Sequence, residues 1–280
     1  MAMSSFAQRV QTIMGASVPK TVDRGEWHGK KYDHIYRDLS LNFIDGKVPL
    51  SCSMKGDLTR DVIKYHPGAR HMNSSQVMCI SFFKKFFENK SVEHEALLLS
   101  VLRSCGIELA EDAGIVSAAF EYEPDRSERT NFDFYIRLDD GTNISFEIKY
   151  TESEFGGISP DANDPDKYDR KWKSIYSHMM NASPYLDLGM EAFYDNYQIN
   201  RNIVFAGKND WIIFITPRRN CSPGIEAGRR YIESLEQPRI RNINWEELAL
   251  KTLEAVSEYK DLFSYYRKFN KKYIDILNLV

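Results

Sequence analysis

Thr130-Asn131-Phe132-Asp133-Phe134-Tyr135-Ile136-Arg137-Leu138-Asp139-Asp140-Gly141-Thr142-Asn143-Ile144-Ser145-Phe146-Glu147-Ile148-Lys149-Tyr150 reads as two alternating runs joined by a glycine-containing turn. In the first run Phe132, Phe134, Ile136 and Leu138 share a face, leaving Asp133, Tyr135 and Arg137 on the other. In the second, Ile144, Phe146, Ile148 and Tyr150 oppose Ser145, Glu147 and Lys149. Period-2 alternation bounded by a turn predicts a half-buried β-hairpin. A two-residue Asp140-Gly141 loop would set Asp133 opposite apolar Ile148 and mix the faces. A three-residue loop, Asp139-Asp140-Gly141, with glycine in the left-handed region, pairs Ile136 with Ile144, Phe134 with Phe146, and Asp133 with Glu147. Opposed residues hold their Cβ atoms roughly 4.5–5.5 Å apart. Two carboxylates so close repel unless a cation or a proton lies between them. Lys149, two residues along the same face, is near enough to join them.

The rest of the chain supports a folded core around this hairpin. Its 280 residues are 42% hydrophobic and 13% aromatic, which excludes global disorder. No apolar run reaches the length of a membrane span, and the first residues lack a basic segment followed by an apolar one. Cys52, Cys79, Cys105 and Cys221 are scattered, so a zinc cluster is not expected and a reducing, cytoplasmic setting is. Net charge is −3, which alone argues against a nucleic-acid binder. Its distribution argues otherwise. Residues 1–90 carry 14 Lys+Arg against 8 Asp+Glu, residues 121–170 carry 6 against 14, and residues 201–280 carry 14 against 10. An acidic centre between basic flanks suits a metal site beside a phosphate-binding surface.

Along the chain, periodicity is weak up to about residue 70, where glycines interrupt a mixture of aromatic and basic residues (Trp27, His28, Lys30, Lys31, Tyr32, His34, Tyr36, Arg37). This stretch reads as an N-terminal arm packed on the main domain or a nucleic-acid-contacting extension. Asn73 or Ser74 caps a helix running to about Phe87, and a second helix from Val92 ends at Gly106. A strand is predicted from Ile115 to Tyr122 and a charged loop from Glu123 to Arg129. After the hairpin come a mobile loop over 154–165, helices over 166–181 and 187–206, and Trp211–Thr216 as a strand buried on both faces. Three further helices are predicted, over 224–236, 245–259 and 260–276.

Helix, three strands with a hairpin, helix, then a buried strand, together with Asp133 and the Glu147-Ile148-Lys149 element, resembles the PD-(D/E)xK nuclease superfamily. Asn73-Ser74-Ser75-Gln76 and Phe146-Glu147-Ile148-Lys149-Tyr150-Thr151-Glu152 look like a group of bacterial type II restriction endonucleases. The resemblance implies an α/β, restriction-endonuclease-like core, a mixed central sheet flanked by helices, with an N-terminal arm and C-terminal helices. The expected divisions are 1–72, 73–220 and 221–280. It implies Mg²⁺, with Mn²⁺ able to substitute, held by Asp133, Glu147 and the Ile148 carbonyl, while Lys149 orients the attacking water. Glu95, rather than Glu93, is the expected extra acid from the first core helix, and Gln198 or Arg201 the later-helix contributor. DNA is the expected substrate, and cutting both strands favours a homodimer through the C-terminal helices. A branched-DNA or RNA nuclease and a non-cleaving binding module are the rival readings. One departure stands out: Phe132, not proline, precedes Asp133, while a literal Pro124-Asp125 lies upstream. Strand register favours Asp133 over Asp125.

Overall fold

In a computed structural model, which describes residues 5–59, 61–125, 130–159 and 162–280, the 130–150 segment is a hairpin in the expected register. Ile136 pairs with Ile144 and Phe134 with Phe146. The Leu138 amide donates to the Thr142 carbonyl at 2.9 Å, and Gly141 takes φ +86°, as a three-residue loop requires.

The chain opens with helix α1 (Phe6–Ser17), held by a reciprocal capping box between Ser5 and Gln8. A free-standing hairpin follows, β1 (Arg24–Trp27) with β2 (Lys30–Tyr36). Strand β3 (Ser53–Lys55) precedes α2 (Ser75–Phe87), capped by Ser74, and α3 (Val92–Ser104), capped by Ser91. Next come β4 (Ile115–Asp125), β5 (Thr130–Leu138) and β6 (Asn143–Ile148). Helices α4 (Lys167–Lys171) and α5 (Ser177–Ala182) are joined by a π-helical turn, and α6 (Met190–Asp195) and α7 (Tyr197–Ile203) follow. Strand β7 (Trp211–Thr216), α8 (Pro223–Ser234), β8 (Ile240–Asn244), α9 (Trp245–Ala255) and α10 (Lys260–Tyr273) complete the fold. No helix of the described residues is long and apolar enough to cross a membrane.

One mixed sheet organises these elements, in the order β3-β4-β5-β6-β7-β8. It is antiparallel from β3 to β6 and parallel from β6 to β8. Parallel neighbours need long crossovers, and α4 to α7 and then α8 fill them. Strand β7 is buried on both faces, as its continuous apolar run predicts. Ile213 and Ile215 join Phe83, Phe134, Phe146 and Trp245 in one core, while Ile212 and Phe214 join Phe132, Tyr176 and Phe193 in the other. Helix α2 is apolar almost all round because α10 covers the side turned away from the sheet. There the Tyr265 and Tyr266 hydroxyls donate to the Ser81 and Phe82 carbonyls at 2.6 and 2.8 Å, so the buried phenols are not left unpaired.

Several expectations change. The N-terminal stretch contains α1, legible in the Ser5/Gln8 capping box and the spacing of Phe6, Val10 and Met14 but passed over, and the β1–β2 hairpin, hidden by glycine-broken periodicity. The predicted 187–206 helix is two short ones, separated at Asn196 (φ −125°, ψ 49°). Strand β8 escaped notice because only Ile240 and Ile243 in it are apolar. Strand β4 runs on to Asp125, which pairs with Thr130, so the predicted charged loop shrinks; residues 126–129 lie outside the described residues. The 154–165 loop, of which residues 160–161 are likewise outside, is pinned by Phe155, buried against Phe214.

Candidate active site

The site begins where β5 and β6 part. Their ladder ends at Phe134↔Phe146, and the next residue, Asp133, makes a side-chain bond instead: its Oδ2 accepts the Ile148 amide at 2.6 Å. On β4, across from Asp133, Glu121 adopts φ +49°. A non-glycine residue held there costs of order 1–3 kcal/mol and persists only where its surroundings over-determine it. The twist resets the strand alternation. Phe120 and Phe134 pack on the α2 side, whereas Tyr122 and Phe132 pack on the α7 side. The prediction that Phe132 shares a face with Phe134 therefore fails at this twist. The rearranged strand ends border a cleft of about 500 Å³.

Glu147 is the hub. It is 4% exposed, and its Oε1 accepts from Lys149 Nζ at 2.9 Å and from Gln198 Nε2. Its Oε2 accepts from Asn202 Nδ2 at 2.9 Å. Lys149 also donates to Gln198 Oε1 at 3.3 Å, which closes a three-membered ring of side chains. Gln198 and Asn202 lie one turn apart on α7 and so project from one face. The Lys149 backbone is fixed on both sides: its amide donates to the Ile215 carbonyl at 2.9 Å, and its carbonyl accepts from Trp245 Nε1 at 3.1 Å.

Among the described residues the cleft is lined by four carboxylates, Glu121, Asp133, Glu147 and Glu152, and by one lysine, Lys149. Burial, then Glu147, then Glu121 push the Asp133 carboxyl well above the usual carboxylate range. Burial likewise raises Glu121, against hydrogen bonds from Gln76 and Asn131. Burial pulls the Lys149 ammonium down, but Glu147, Glu152 and Asp133 outweigh it and hold it above its ordinary value. The site thus carries an excess of negative charge that a cation would relieve. Among the described residues no group of three His, Cys, Asp or Glu side chains is arranged to hold a metal ion. What the cleft offers is two neighbouring carboxylates, Asp133 and Glu147, with the Ile148 backbone beside them. An oxygen-only, incomplete donor set of this kind fits Mg²⁺, which keeps several waters and takes phosphate oxygens, and does not fit zinc.

Asp133, Glu147, Ile148, Lys149 and Gln198 are brought together as the sequence predicts. Glu95 is not. The first turn of α3 faces β3, where Glu95, 4% exposed, is ion-paired with Lys55. Arg201 lies over the Tyr197 ring, 5.3 Å from its centroid, and does not line the cleft. Asp125 closes the far end of β4 and is not among the cleft-lining residues. Two participants were missed. Asn202 was legible as the residue four beyond Gln198. Glu121 was legible only by pairing β4 with β5, which sets it opposite Asp133.

Searches of curated proteins and of solved structures return no match to this chain. A family model described as "Restriction Endonuclease associating with ARP" matches residues 4–274. That match takes in the sheet, both helical layers and every residue of the cleft. The chain belongs to this restriction endonuclease family.

Proposed function

We propose that this chain is a metal-dependent endonuclease that hydrolyses DNA phosphodiester bonds, with Asp133, Glu147 and Lys149 in the positions of a PD-(D/E)xK site. The observation that carries the reading is the meeting of two carboxylates, a buried ammonium and a glutamine in one cleft at the parting of β5 and β6. Asp133, Glu147 and the Ile148 carbonyl would hold Mg²⁺, with Mn²⁺ as a substitute. When bound, such an ion polarises the phosphate and makes hydroxide available near neutral pH.

The chain's own groups supply the rest. Lys149 stays charged because its acidic neighbours outweigh its burial. A fixed ammonium in a low-dielectric setting stabilises charge growing on the phosphate and needs no reorganisation during reaction. Gln198 grips Glu147 and Lys149 together, so neither drifts from the scissile bond. Asn202 holds the far Glu147 oxygen and so fixes the carboxylate plane.

Incubation of plasmid and phage DNA with the protein in Mg²⁺ or Mn²⁺, followed by end sequencing, tests the reading. Cleavage is expected with metal and absent with chelator. Lys149→Ala should lower it about 10²–10³-fold with the fold intact. Undiminished cutting by that variant would remove Lys149 from its assigned role. Cutting of RNA or branched DNA alone would replace the substrate assignment.

A further inference from the structure

The β1–β2 hairpin forms a two-stranded sheet of its own, apart from the six-stranded one. Its turn residues, His28 and Gly29, both take positive φ (48° and 75°), the geometry of a tight two-residue hairpin, and Trp27 pairs with Lys30. The pairing places Trp27, Lys30, Tyr32 and His34 on one face. That face is not isolated from the cleft. His71 lines the cleft, and its ring meets Trp27 at 4.9 Å and His34 at 5.5 Å between centroids. Tyr32 then meets His34 at 5.5 Å, and His28 meets Trp27 at 4.9 Å. A continuous strip of rings therefore leads from the cleft wall to the hairpin tip. The Met72 amide donates to the His34 carbonyl at 2.9 Å, and an Ile35↔His71 bridge adds a second tie.

The tip is basic although the chain as a whole carries −3. Beside the turn Lys30 and Lys31 outnumber Glu26, and among the described residues neither lysine has an ion-pair partner, whereas Arg24 and Arg37 lie at the hairpin's open end, where Arg37 is ion-paired with Asp23. His28, Lys30 and Lys31 are exposed. We infer that the β1–β2 hairpin is a second DNA-contacting element, engaging the duplex that flanks the bond held in the cleft. A two-stranded ribbon fits the major groove, which is about 12 Å wide. The lysines neutralise phosphates, and the ring strip keeps the ribbon in line with the cleft. This rests on the reading of the chain as a DNA nuclease.

The full chain and its His28→Ala/Lys30→Ala/Lys31→Ala variant are to be compared by fluorescence anisotropy on a labelled duplex, with Ca²⁺ in place of Mg²⁺. The three side chains are exposed, so circular dichroism and melting temperature should match. The variant should bind about tenfold more weakly. Its plot of log K against log[salt] should be shallower by roughly 1.8, the equivalent of two phosphate contacts. Equal affinity and equal slope, from a wild type that cuts DNA, would overturn the hairpin's role and leave the nuclease reading standing. A wild type that neither binds nor cuts DNA would overturn both. A deficit confined to single-stranded oligonucleotides would overturn the assignment to duplex.

Discussion

The Asp133 carboxylate accepts the Ile148 amide at 2.6 Å, in the place a strand carbonyl would occupy. This one bond lets β5 leave β6 without stranding a buried N–H, and it fixes Asp133 to the strand that carries Glu147. The acid is thereby kept buried beside Glu147 and Glu121, and burial first, then those two carboxylates, raise its carboxyl. On the proposed function, this arrangement exchanges stability for a place to hold a cation.

Neutralising Asp133 should therefore stabilise the metal-free protein. A carboxyl raised above its unfolded value favours folding at low pH, and that contribution drains away as pH rises through the folded value. Asp133→Asn keeps an oxygen for the Ile148 amide and removes the repulsion. Its melting temperature in chelator should exceed the wild type's by about 2–4 °C at neutral pH, the equivalent of about 1 kcal/mol. The gap should close as pH falls. Mg²⁺ should raise the melting temperature of wild type alone, and the variant should not cut DNA. A less stable variant in chelator would contradict the account of the acid cluster.

Gly156 sets the position of Gln198. It takes φ +119°, and a Cβ there would collide with Gln198 Oε1. Gly156→Ala would drive that side chain away from Glu147 and Lys149. Cleavage rate should fall at least about tenfold with DNA affinity little changed, as for Gln198→Ala. Because both substitutions break the same contacts, the double variant should be no slower than the worse single one. Multiplicative losses would show that Gly156 acts by another route.

Much of this was legible beforehand because the hairpin is locally determined. Alternation plus Gly141 sets the Phe134–Phe146 register, and that register carries Asp133 to Glu147. Non-local pairing was not legible. Nothing in the Glu121 neighbourhood announces a left-handed residue within a strand, and its place beside Asp133 depends on β4 lying next to β5. Glu95 failed for the same reason: its helix was identified, but the direction of its first turn is fixed by Lys55, forty residues earlier in the chain. The Arg24–Tyr36 hairpin escaped because its alternation is polar on one side and broken at Gly25 and Gly29.

The hairpin's underside leans on α2 through two rings, Phe83 and Phe87, which both meet Phe134. Phe83, fully buried, stacks on Phe134 with centroids 4.2 Å apart and planes 20° from parallel. Phe83→Ala removes that fully buried ring and should cost about 3–5 kcal/mol in urea denaturation. A loss below about 1 kcal/mol would mean that the site is held chiefly from the α7 side.

A second tie joins the N-terminal arm to α2 away from the cleft. Lys84, 5% exposed, bonds Asp45 at 2.6 Å and the Lys47 carbonyl at 2.9 Å. Burial pushes the Asp45 carboxyl up, but Lys84 and the Lys47 amide outweigh it and leave it below its usual value. Its contribution is therefore present above the unfolded carboxylate value and lost as pH falls through the folded one. Asp45→Asn strands the ammonium and should cost about 3 kcal/mol at neutral pH, whereas Asp45→Asn with Lys84→Met should recover most of that loss. The single variant should also lose part of the wild type's acid-side decline. Urea titrations at neutral and acidic pH measure both effects. A double variant as unstable as the single one would assign the loss to packing of the 43–47 turn over α2, rather than to an ammonium left without its partner.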